Sequence, residues 1–108
     1  MSKLEDELAF QLDAAGIAYQ REYKFCPGRR WRADFYIRPM ILVEVEGGNW
    51  NKGRHVRPIG FEEDAEKYDE AEILRFNVLR FTQKHIKSGW ALQTIERLMD
   101  IKREWGEE

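Results

Sequence analysis

The chain reads as an α/β or α+β fold, one mixed sheet flanked by helices in the order helix, three strands in a meander, helix, strand, helix. Three observations carry that expectation. Leu4, Leu8 and Leu12 with Ala15 recur at helical spacing, and residues 17–46 then switch to period two. Finally, Phe61, Ala65, Tyr68 and Ala71 return to helical spacing just before the short apolar run Asn77 to Phe81.

The 108 residues are 43% hydrophobic, 13% aromatic and 35% charged, which suits one domain spanning residues 1–108 with a modest core. No run of about 18 apolar residues is present. The amino-terminal MSKLEDEL has neither a signal peptide's apolar stretch nor a transit peptide's basic character, so the expectation is a cytoplasmic protein with no membrane partner. The single cysteine, Cys26, has no partner for an internal disulfide and offers no pair of metal ligands; it is read as a buried thiol.

Net charge is only -2, but it is unevenly spread. Residues 17–60 carry nine Lys/Arg against four Asp/Glu, while the segments on either side are acidic. A basic region around a few carboxylates suits an enzyme that holds a cation and acts on a polyanion; ordinary solvated charge is the competing explanation.

In chain order, Ser2 is a plausible N-cap and Glu5, three residues on, completes a capping box, with the helix running from about Leu4 to Ala15 and stopping at Gly16. Glu5 shares a side with Leu8 and Leu12, so its carboxylate could instead reach the edge of whatever the helix packs against. A first strand follows from Ile17 to Phe25, with Tyr19, Tyr23 and Phe25 on one face and Gln20, Glu22 and Lys24 on the other. Cys26-Pro27-Gly28-Arg29-Arg30 turns the chain into a basic corner flanked by Trp31 and Arg32. That corner suits phosphate contacts, and equally suits an exposed hairpin loop.

The central stretch is WRADFYIRPMILVEVEGG, Trp31 to Gly48. Period two places Asp34 and Tyr36 opposite Ala33, Phe35 and Ile37, and places Leu42, Glu44 and Glu46 opposite Ile41, Val43 and Val45. A hairpin through Arg38-Pro39-Met40 brings Asp34 and Glu44 together. Two or three carboxylates on one face cost several kcal/mol, roughly, in desolvation and repulsion unless a cation lies between them, and a hard divalent metal is the natural candidate.

Residues 47–60 form a glycine-rich, basic, aperiodic segment with no P-loop pattern. Lys52, Arg54, His55 and Arg57 are phosphate-seeking, Trp50 offers a stacking face, and His55 is either a general acid, a phosphate contact or neither. The next helix runs from Phe61 to Leu74. Lys67 lies on its flank, where it could snorkel to solvent, pair with an acidic neighbour or aim its ammonium at the strand carboxylates. After the strand Asn77 to Phe81, a last helix lies within Thr82 to Lys102, starting near Ser88, with Ala91, Leu92, Ile95, Leu98 and Met99 inward and the tail fraying from Arg103.

Asp34 followed across a turn by Glu44-Val45-Glu46, after a helix bearing Glu5 and within the order αβββαβ, resembles the PD-(D/E)XK nuclease superfamily with its restriction-endonuclease-like core. The segments PGRRWRADFYI, LVEVEGGNW, GRH and GFEEDAEKYDEA leading to VLRFT look like the small bacterial and phage endonuclease domains related to very-short-patch repair (Vsr-like) endonucleases. The resemblance implies a metal-dependent endonuclease hydrolysing phosphodiester bonds of DNA, with RNA left open. Asp34, Glu44, Glu46 and the carbonyl of Val45 would hold Mg2+ or Mn2+, and Arg29, Arg30, Arg32, Trp50, Lys52, Arg54, His55 and Arg57 would contact nucleic acid. One residue departs from the pattern: Glu46 stands where the motif normally has Lys. The resemblance then leaves Lys67, His55 and Glu5 as further catalytic candidates. If no cation replaces the lysine, the fold would serve as a silent nucleic-acid-binding or protein-interaction module. A chain this small covers little nucleic acid, so a homodimer or a partner protein is also expected.

Overall fold

A computed structural model describes residues 2–47 and 58–106. It contains α1 (Lys3–Ala14), β1 (Gln20–Lys24), β2 (Arg32–Ile37), β3 (Ile41–Val45), α2 (Pro58–Ile73), β4 (Asn77–Phe81), α3 (Gln83–Lys87) and α4 (Trp90–Glu104). The described strands form one mixed sheet in the order β1-β2-β3-β4. The first two pairings are antiparallel, and β3 and β4 run parallel because the chain between them returns through α2. The α+β expectation is met. No helix among the described residues is long and apolar enough to cross a membrane.

Ser2 Oγ accepts the Glu5 N–H at 3.0 Å, as a cap should. The other end of α1 closes on Gly16, whose φ of +73° suits glycine, with Gly16 N–H on Asp13 C=O and Ile17 N–H on Leu12 C=O, the paired bonds of a Schellman stop. Leu8 and Leu12 are fully buried against Phe35, Ile37, Ile41 and Val43, in a core completed by α3 and α4.

The opposite face of the sheet is also covered. Leu42, Ala33 and Phe25 pack there with Ala71 and Phe76, and this is where Cys26 lies as the expected buried thiol. Coverage on both faces explains why β3 reads as a nearly continuous apolar run.

Three expectations need correction. β1 is shorter than Ile17 to Phe25, and its aromatics do not share a face: Tyr19 meets Phe35 edge-on, whereas Tyr23 stacks on Tyr36 and Phe25 meets Phe76 on the other side. The cause is Glu22, whose φ of +53° interrupts the alternation. Ala65 is exposed, not buried. Residues 62–66 are all exposed, so this stretch of α2 does not bury a stripe. The last helix starts at Trp90, close to the expected Ser88, but a separate short helix, α3, precedes it. Thr82 and His85 cap α3 reciprocally, Gly89 at φ +87° breaks the path, and α4 runs through Arg103 to Glu104 without fraying there. Near its end Lys102 is buried and donates to Asn77 Oδ1 at 2.6 Å, tying α4 to the start of β4.

Leu8→Ala should therefore lower unfolding free energy by about 2–5 kcal/mol. Phe10→Ala, on the exposed side of the same helix, should change it by about 0.5 kcal/mol or less in urea titrations.

Candidate functional site

The β2–β3 register pairs Phe35 with Val43 and Tyr36 with Leu42, and one further step sets Asp34 opposite Glu44, as the hairpin reading requires. Asp34 Oδ2 accepts the Val45 N–H at 2.7 Å, which fixes the orientation of that carboxylate. On the other side of the pair, Lys67 Nζ of α2 lies 3.3 Å from Glu44 Oε2, with side-chain exposures of only 15% and 13%. Burial pushes Glu44 up to about 7; Lys67 and the Asp34 backbone N–H pull it down, and the Asp34 charge pushes it further up. Asp34 is also raised, by burial first and then by Glu22 and Glu46, against the Val45 N–H and Lys67.

Asp34 also belongs to a second grouping. One carboxylate oxygen each from Glu5, Glu22 and Asp34 lies within 4.8 Å of the others. Glu5 does not turn back toward its own cap. Its carboxylate faces inward, its pKa raised by burial and by Asp34 and Glu22, with Arg21 opposing. Arg21 stands 3.5 Å from Glu5 and 3.2 Å from Asp6, its guanidinium over the Phe35 ring. That approach makes no hydrogen bond to Glu5 Oε1, which is buried without a donor among the described residues. Oxygen-only donors and raised carboxylate pKa values fit a hard divalent cation.

Glu46, expected as a third ligand, instead accepts from Arg80 Nε at 2.8 Å. Arg80 is the β4 partner of Glu44 in the parallel register, and its guanidinium lies 4.6 Å from the centre of the Tyr68 ring. Burial, then the Glu44 charge, raises the Tyr68 phenol pKa. Arg29 is stacked on Trp31 at 3.7 Å and stands 3.9 Å from Glu66, beside an open cavity of about 600 Å³ that also contacts Lys24 and Arg30. Arg30 and Arg32 are exposed. Trp50, Lys52, Arg54, His55 and Arg57 lie outside the described residues.

The sequence reading missed Glu22, Arg21, Tyr68 and Arg80 as members of this neighbourhood. Arg80 was recoverable, because laying NVLRF parallel to ILVEV puts it beside Glu44. Glu22 was not, since an alternating pattern gives no sign of a left-handed residue within it.

No protein-family profile matches the chain, and no curated protein matches it. Among solved structures it is similar to the homing endonuclease I-Bth0305I catalytic domain, with a TM-score of 0.64 and 17% identity over 93% of this chain and 92% of that one. The likeness is one of fold. At that identity it carries no residue roles, so the chemistry has to be argued from the side chains just described.

The raised Glu44 pKa has a defined consequence for the metal-free protein. The folded chain holds that proton up to about pH 7 while the unfolded chain releases it near 4.5, so stability from this group is full at low pH and is lost as pH rises through that window. Glu44→Gln removes the loss. In chelator, the variant should gain about 3 kcal/mol relative to the unsubstituted protein between pH 4.5 and 7, with no further gain above, in urea titrations across pH.

Proposed function

We propose that the chain is a divalent-metal-dependent endonuclease that hydrolyses phosphodiester bonds of DNA. The observation that carries this reading is the facing pair Asp34 and Glu44, with the Glu44 side chain nearly buried and contacted by Lys67 at 3.3 Å. Support comes from the fold likeness to a homing endonuclease catalytic domain and from the basic excess of residues 17–60.

Asp34 and Glu44, with the carbonyl of Val45, would hold Mg2+, with Mn2+ as a substitute. When bound, the ion supplies a water of lowered pKa and offsets negative charge on the phosphate. The Val45 N–H keeps Asp34 oriented, and Glu44 would hold the ion as the deprotonated carboxylate. Among the described residues Lys67 is the cation paired with Glu44, and it takes the place of the motif lysine, steadying charge that develops on the reacting phosphate. Glu5 belongs to the wall of this acidic pocket, and His55 is a further candidate acid. A silent nucleic-acid-binding module on the same fold is the second reading, favoured by Glu46 in place of that lysine.

Plasmid DNA should be nicked or cut with Mg2+ and left intact in chelator, and Asp34→Asn or Glu44→Gln should abolish cutting while the protein still folds. Lys67→Met should slow cutting by roughly 10²- to 10³-fold, by analogy with loss of an oxyanion donor. Near-normal turnover in that variant transfers the role to His55. DNA binding without cutting under any divalent ion establishes the silent module. Arg30→Ala and Arg54→Ala should each flatten the dependence of log affinity on log salt by about 0.9. Unchanged slopes in both would make these arginines ordinary surface charge.

A further inference from the structure

Two cations approach the carboxylates on the α2 face of the sheet, and they are held differently. Lys67 is closed onto Glu44. Arg80 has a half-exposed side chain, and among the described residues only its Nε is hydrogen-bonded, to Glu46. Its guanidinium also lies against the Tyr68 ring. A guanidinium presents its donors in a rigid fork that matches phosphate oxygens. Engaged through Nε, it keeps both terminal amino groups available, and the carboxylate and ring that flank it restrict its rotamers before any ligand arrives. Its register partner is Glu44, so the fork is set beside the carboxylate pair.

We infer that Arg80, oriented by Glu46 and Tyr68, binds a backbone phosphate of the nucleic-acid strand next to the reacting one, and that Glu46 is a positioning residue for Arg80 and not a metal ligand. This rests on the nuclease reading above. It assigns the acid that stands in the motif-lysine position a role of its own: Glu46 orients a cation of the neighbouring strand toward the next phosphate, while Lys67 serves the reacting one.

The test is fluorescence anisotropy of a short labelled DNA duplex across a salt series, together with calorimetric titration of Mn2+. Arg80→Ala should weaken DNA binding by about tenfold, as for loss of a charged hydrogen bond, and flatten the salt slope by about 0.9. Arg80→Lys, which keeps β4 covered by a long cationic side chain, should retain the slope but not the affinity. Removing an acid near DNA ordinarily strengthens binding. Glu46→Ala should do the opposite while Arg80 is present, and should cause no loss in the Arg80→Ala background. Mn2+ affinity should be unchanged in Glu46→Ala and lost in Glu44→Gln.

Loss of Mn2+ binding in Glu46→Ala would make Glu46 a ligand and overturn the proposal. Wild-type affinity and slope in Arg80→Ala would overturn it too, with the nuclease reading left standing. An unsubstituted protein that binds no DNA at all would overturn both.

Discussion

The neighbourhood described here depends on one constraint, the β2–β3 register that sets Asp34 opposite Glu44 at the nearly buried end of a hairpin. Two carboxylates so placed repel each other and lose solvation, and Glu44 answers by holding its proton to about pH 7. The surroundings reduce the cost in separate ways. Val45 donates a backbone N–H to Asp34, α2 brings Lys67 onto Glu44, and Arg80 engages Glu46, keeping a third negative charge occupied. A register slip of one residue in β3 would turn Glu44 to the face packed by Leu8 and Leu12 and part it from Asp34, so the apolar cores on the two sides of the sheet also hold the site in place.

Much of this was legible from residue order. The Leu4-Leu8-Leu12 stripe, the Ser2 cap, the Gly16 stop and the alternation of residues 32–45 each act through local geometry, and local geometry leaves a periodic trace. The pairing of Asp34 with Glu44 followed from counting across a tight turn. What escaped was set by single backbone angles and by long-range packing. Glu22 at φ +53° sends Tyr23 and Phe25 to the face opposite Tyr19, and it also puts a third acid beside Glu5 and Asp34. Helix α3, five residues that end just before Gly89 at φ +87°, is too short to leave a periodic trace. Ala65 lies in a run, residues 62–66, that is exposed throughout, and no spacing rule within one element records which turns of a helix meet the sheet.

Glu5 shows how a local rule and a tertiary role can share one residue. Its backbone N–H is capped by Ser2, as the motif expects, while its carboxylate points into the acidic pocket and leaves Oε1 without a donor among the described residues. The helix therefore presents a carboxylate to the sheet from its best-anchored turn. Arg21, 3.5 Å away, offsets part of the cost of holding an acid there.

The central claim is that the Asp34–Glu44 pair is a divalent-cation site whose occupancy displaces a proton. It is tested most directly by titrating Mn2+ into the protein calorimetrically in two buffers of different ionisation enthalpy. At pH 6.5 a carboxyl with a pKa of about 7 is roughly three-quarters protonated, so binding should release about three-quarters of a proton per ion, falling toward none by about pH 8.5. Absence of binding, or binding with the same buffer-independent heat in the unsubstituted protein and in Glu44→Gln, would contradict it.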